Sequence, residues 1–117
     1  MKRFFRSFGY AFRGIGPGLR GQVNIFVMLA AAAGAIALGV YYGISALEWA
    51  LIVAMIGLVL SLELLNTAGE KLVDILSPEK DDRYGQVKDI LAAAVLIASV
   101  TAAIVGGVIF VPRILGG

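Results

Sequence analysis

Four polar side chains, Glu63, Asn66, Glu70 and Asp74, stand where an apolar stretch of this chain passes into a polar one. Their spacings are 3, 4 and 4. At 3.6 residues per turn, those intervals place all four on one face of a helix. The run from Leu47 to Leu65 is free of charge apart from Glu48 and Glu63. A carboxylate inside a membrane helix is costly and marks a functional site by default. Glu63 falls near the inner end of that run, about two turns, roughly 10 Å, before Glu70. There it is suited to accept a proton from a hydroxyl held in the membrane. Glu70 and Asp74 lie about two and three turns of helix beyond Glu63, closer to water, and could hold a divalent cation that carries phosphate oxygens. Asn66 stands between the two zones and can both donate and accept. Lys88 offers a cation to phosphate. Together these residues meet the needs of phosphoryl transfer from a nucleotide to a lipid alcohol: proton removal, metal bridging and charge neutralisation. The simpler alternative is an intramembrane Glu paired with a polar residue on a neighbouring helix. Four aligned polar groups beside Lys88-Asp89 favour the chemical reading.

These side chains need helices to carry them. The chain has 117 residues, 60% of them apolar, and a mean hydropathy of +0.92. A soluble domain of this size cannot hide that much apolar surface. Residues 23–42, 47–65 and 90–111 are each long enough to cross a bilayer, and a spanning segment must satisfy its own backbone as helix. The second span continues as a cytoplasmic extension to about residue 76. The expected architecture is an all-α membrane protein in a single domain, with an N-terminal amphipathic interfacial helix and three transmembrane helices.

That first helix covers residues 1–20. Phe4, Phe5, Phe8, Phe12 and Ile15 share one helical face, and Arg3, Arg6, Tyr10 and Arg13 share the opposite one. This pattern suits a helix lying in the membrane interface, anchored by arginine on anionic lipid. Tyr10 on the charged face suggests a further ligand contact. Gly14-Ile15-Gly16-Pro17-Gly18-Leu19-Arg20-Gly21 contains G-x-G-x-x-G, but no strand precedes it, so a dinucleotide site is rejected. Glycine and proline there are expected to break the surface helix before the chain enters the membrane. No Walker A sequence occurs.

Charge sets the orientation. Lys2, Arg3, Arg6, Arg13 and Arg20 precede the first span, and Lys71, Lys80, Arg83 and Lys88 lie between the second and third. The link 41–47 has no Lys or Arg. The positive-inside rule puts the N-terminus and the second loop in the cytoplasm. The first span is too long for a signal peptide and is read as retained. The chain has no cysteine and no histidine, which excludes disulfides, thiolate or imidazole metal sites, and a catalytic Cys or His. Any metal must take oxygen ligands, which favours Mg²⁺. Small residues crowd spans one and three, as in close-packed membrane helices. Three spans are few for enclosing a site, so oligomerisation is expected.

The run from Glu63 to Asp74 resembles the signature E-x-x-N-[ST]-A-x-E-x-x-x-D of the bacterial diacylglycerol kinase and undecaprenol kinase family. Lys88-Asp89 followed by Ala92-Ala93-Ala94-Val95 resembles its second block, and Gly9-Tyr10 with Arg13-Gly14 its surface-helix motif. The resemblance covers nearly the whole chain. It implies a small integral lipid kinase of the cytoplasmic (inner) membrane, working as a homotrimer with active sites shared between subunits, and no nucleic-acid partner. It implies Glu63 as catalytic base, Glu70 as a ligand of the metal in Mg-ATP, and Asn66, Asp74, Lys88 and Asp89 as nucleotide-site residues, with Arg3 and Tyr10 also contacting ATP. The family usually has a second metal-binding Glu just before span one; Gln22 stands there, an uncharged ligand. The acceptor implied first is undecaprenol, with diacylglycerol as runner-up. A small proton-coupled transporter is a more distant alternative. Such transporters generally have four spans with the acidic residue in the first. A scaffold without chemistry has only Gln22 in its favour.

Overall fold

A computed structural model of the chain describes residues 2–19, 23–79 and 81–116. All the regular structure among them is helical: α1 (Lys2–Leu19), α2 (Val23–Tyr42), α3 (Ala46–Leu76) and α4 (Asp82–Gly116). α2, α3 and α4 are each long and apolar enough to cross a membrane. With 31 and 35 residues, α3 and α4 run to about 46 and 52 Å. A hydrocarbon core is only about 30 Å thick, so each helix must project beyond it. That surplus carries the polar half of α3.

Two boundaries differ from the sequence expectation. α1 continues through Gly14, Gly16 and Pro17 to Leu19 rather than breaking at them. A proline fixes φ near the helical value, so the backbone can stay helical there, although the missing N–H and the crowding of the preceding turn weaken it. α4 begins at Asp82, not Ile90. The cause is a local cap: Asp81 Oδ1 accepts the Arg83 backbone N–H at 3.0 Å, and Gly85 N–H donates to the Asp81 carbonyl at 3.0 Å. Asp81 is therefore the N-cap that starts α4. The Arg83 guanidinium, 3.1 Å away, and that backbone N–H hold its carboxyl below the usual range.

α3 packs most extensively on α4, with α2 and α1 against α3. The end opposite the polar half is closed by a cluster of Ile44, Ile52, Ile109 and Phe110, flanked by Tyr42 and Trp49. Ser45 and Glu48 form a reciprocal capping box at the start of α3. The Glu48 carboxylate also accepts both Arg113 Nη groups, at 2.8 and 2.9 Å, and so ties the head of α3 to the tail of α4.

α2 joins this end through Gly39. A Cβ built there would lie 2.7 and 2.9 Å from the Trp49 ring and 3.1 Å from Ile44. An indole ring packed on its neighbours cannot give way cheaply. Gly39→Ala is expected to cost about 1–3 kcal/mol and lower the melting temperature in detergent. Gly34→Ala, whose Cβ would meet nothing within 4 Å, is the control that should not lower it. Equal melting of the two variants would refute this packing.

Candidate active site

The polar face of α3 passes from interior to water. Glu63 is 2% exposed, Asn66 8% and Thr67 2%. Glu70 is half-buried and Asp74 is exposed. The burying partner is α4, and Gly69 is what brings it close. A Cβ at Gly69 would collide with Leu91, so the leucine occupies the place of the missing side chain. From that contact the antiparallel helices run toward the loop, and Lys88 reaches Asp74 Oδ1 at 2.5 Å. The earlier start of α4 makes this pair possible, because Lys88 then stands on a formed helix.

Glu63 Oε2 and Asn66 Oδ1, in the buried part, have no hydrogen-bond partner among the described residues. The rest of the cluster is ordered. Asn66 Nδ2 donates to Glu70 Oε1 at 3.2 Å, and Thr67 Oγ1 donates to the Glu63 carbonyl at 3.1 Å. Buried polar groups are nearly always satisfied, so an unpartnered pair of acceptors marks a place where a further group belongs. The free acceptor on Glu63 suits a hydroxyl. The free Asn66 oxygen and the Glu70 carboxylate are hard oxygen donors of the kind Mg²⁺ takes.

The remaining sequence-named residues lie at different distances from this cluster. Tyr10 lines a cavity of about 470 Å³ between α1 and α3, together with Gly14, Ser61, Leu64, Thr67 and Lys71. Arg13 sits 4.8 Å over its ring. Arg3 is exposed on α1, where its carbonyl accepts the Ser7 Oγ hydroxyl at 3.0 Å. Asp89 is exposed, about 100° around α4 from Lys88. The chain therefore brings together Glu63, Asn66, Glu70, Asp74 and Lys88, and places Tyr10 on the neighbouring cavity. It does not bring Arg3 or Asp89 to them. Gln22 falls outside the described residues. No group of three or more acidic side chains able to hold a metal occurs among the described residues.

Sequence reasoning passed over Thr67, Gly69 and Leu91. Thr67 follows Glu63 by four residues, so its hydroxyl was bound to meet that residue's carbonyl in a helix. Gly69, amid a polar stripe, signalled a close helix approach. Nothing local marked Leu91 as its partner.

The chain is similar to proteins named as lipid kinases. An undecaprenol kinase of Bacillus subtilis is 38% identical over 114 residues, covering 97% of this chain and 93% of the relative. A diacylglycerol kinase of Synechocystis is 33% identical over 110 residues, 93% of this chain and 63% of the relative. The diacylglycerol kinase of Escherichia coli K12 is 30% identical over 107 residues, 87% of this chain and 84% of the relative. The family model described as prokaryotic diacylglycerol kinase matches residues 9–110, a stretch that takes in both the buried acidic stripe and the helix packed against it. On that match, this chain belongs to the prokaryotic diacylglycerol kinase family.

Proposed function

We propose that this chain transfers the γ-phosphate of ATP to the hydroxyl of a membrane lipid alcohol, at the cytoplasmic boundary of the inner membrane. Membership of a lipid kinase family carries the ATP-dependent phosphoryl transfer. The observation that supports the site is Glu63: a buried carboxylate with an unpartnered oxygen, at the inner end of a polar face that reaches water. Its carboxylate takes the proton as the acceptor oxygen attacks the γ-phosphorus. The bond from that phosphorus to its bridging oxygen breaks, and ADP leaves with the electron pair. Thr67 fixes the local backbone, and Asn66 orients Glu70.

Glu70 and Asn66, with Gln22 as an uncharged third donor, are the residues that would hold Mg²⁺. When bound with ATP, Mg²⁺ neutralises phosphate charge. Asp74, Lys88 and Asp89 would line the nucleotide site, joined by Arg3 and Tyr10 from α1. In this reading α1 lies in the interface, with its exposed Phe4, Phe5, Phe8 and Phe12 in lipid. The three spans assemble as a homotrimer with sites shared between subunits, which would supply groups that one chain leaves missing.

Undecaprenol is the favoured acceptor, because the undecaprenol kinase relative matches at 38% identity over nearly all of both chains. Diacylglycerol is the second reading, supported by the relatives named for it. The kinase relatives weigh against a transporter or a scaffold. Purified protein given Mg-ATP with undecaprenol, diacylglycerol and other lipid alcohols side by side should phosphorylate undecaprenol at the highest kcat/KM. A preference for diacylglycerol would move the assignment to the second reading, and no lipid product at all would refute the proposal.

Lys88 provides a separate check. Its pair with Asp74 is open to solvent, and such pairs contribute only about 0–1 kcal/mol. Lys88→Met is therefore expected to leave the melting temperature nearly unchanged while raising KM for ATP about tenfold. A fall in melting temperature with normal KM would make Lys88 a structural residue only.

A further inference from the structure

A second cavity, about 240 Å³, lies between α2, α3 and α4 in the apolar part of the bundle. Its wall includes Ala32 from α2, Ile56 and Val59 from α3, and Ser99, Ala102 and Gly106 from α4. Val59 is one turn from Glu63 on the same face of α3, and Ile56 and Ile52 continue that face. The cavity thus starts about 6 Å beyond the buried carboxylate and extends about 10 Å further along the helix. From Glu63 the polar stripe leads one way to water, and this apolar cavity leads the other way into the membrane.

We propose that the cavity is the subsite for the acceptor's hydrocarbon tail, shaped for the isoprene units of a polyprenol that follow the hydroxyl-bearing one; this rests on the lipid-kinase reading of Glu63. The size fits. A cavity of about 150 Å³ accommodates benzene, so this one has room for an isoprene unit and part of another. The shape fits as well. Alanines and a glycine on two helices leave width for methyl branches where larger side chains would close the space. Ser99 Oγ on the wall has no hydrogen-bond partner among the described residues, and a double bond is the acceptor a hydrocarbon tail can present to its O–H. A polyprenol carries its hydroxyl at the end of one chain, so it can pass from Glu63 into the cavity in single file. A diacylglycerol has two chains close to its hydroxyl, of which only one could follow.

The test fills the cavity from two helices, with Ala32→Leu and Ala102→Leu in the full-length protein in nanodiscs. The acceptors are undecaprenol and dimethylallyl alcohol, a single isoprene unit too short to depend on the cavity. Each variant should lose about tenfold or more in kcat/KM for undecaprenol, and stay within about twofold for dimethylallyl alcohol and for the KM of ATP. Unchanged undecaprenol turnover, or equal losses on both alcohols, would overturn the proposal. Should the variants not fold, unmodified protein is photolabelled with a polyprenol bearing a diazirine in its second isoprene unit. Label on Met28, Met55 or Ala102 supports the subsite. Label confined to outward residues such as Leu51 and Val53, or filling of the cavity by a second copy of the chain, overturns it. If unmodified protein phosphorylates no lipid alcohol, the kinase reading itself fails, whatever the labelling shows.

Discussion

Glu63→Gln should abolish measurable lipid phosphorylation while leaving the protein folded. The substitution keeps the shape of the side chain and removes its ability to take a proton. General-base catalysis contributes about 10²–10⁴ in rate, so a loss of that order is expected in kcat. The melting temperature should not fall. Glu63 is 2% exposed and one of its oxygens has no partner, so the neutral amide removes a buried charge and breaks no observed side-chain bond. The measurement is transfer of radiolabelled γ-phosphate to undecaprenol, paired with thermal unfolding in the same detergent. A wild-type rate would refute the role of Glu63. A lost rate accompanied by collapsed stability would place Glu63 in the fold instead.

The second large effect is expected at the metal. Glu70→Gln should raise the Mg²⁺ concentration for half-maximal rate, by about tenfold or more, with a smaller change in the rate at saturating Mg²⁺. Glutamine can still accept the Asn66 Nδ2 hydrogen bond through its amide oxygen, so the local order is kept and the charge is removed. Gln22→Glu should act in the opposite direction and lower the Mg²⁺ requirement, because it adds a charged oxygen donor. Coincident Mg²⁺ curves for Glu70→Gln and the unmodified protein would take Glu70 out of the metal site.

The spans were legible because hydropathy alone sets them: about 20 apolar residues, without charge, have few options besides a membrane helix. The alignment of Glu63, Asn66, Glu70 and Asp74 was legible for an equally local reason, since helical periodicity acts within a few turns. What lay beyond reach depends on how separate helices meet. The Lys88–Asp74 pair requires α4 to start at Asp82, which one capping carboxylate decides. The Arg113–Glu48 pair joins residues 65 positions apart, and neither local sequence names the other. The Gly69–Leu91 approach needs the relative height of two antiparallel helices, which follows from the turn and not from either helix alone. The same limit applies to Arg3 and Asp89. Motif resemblance points to them, but their positions relative to the cluster depend on packing, and within one chain they stand apart from it. In the proposed homotrimer with shared sites, neighbouring subunits would supply those contacts.

The central claim is that a water-soluble nucleotide meets the exposed half of the α3 stripe while the acceptor hydroxyl sits at its buried end. The most direct measurement replaces Mg²⁺ by Mn²⁺, adds a non-hydrolysable ATP analogue, and records paramagnetic broadening of the amide signals along α3. Broadening should be strongest at Asn66, Glu70 and Asp74, weaker at Glu63, and lost by Ile52. Undisturbed signals at Asn66, Glu70 and Asp74, with the analogue bound elsewhere on the chain, would contradict the account.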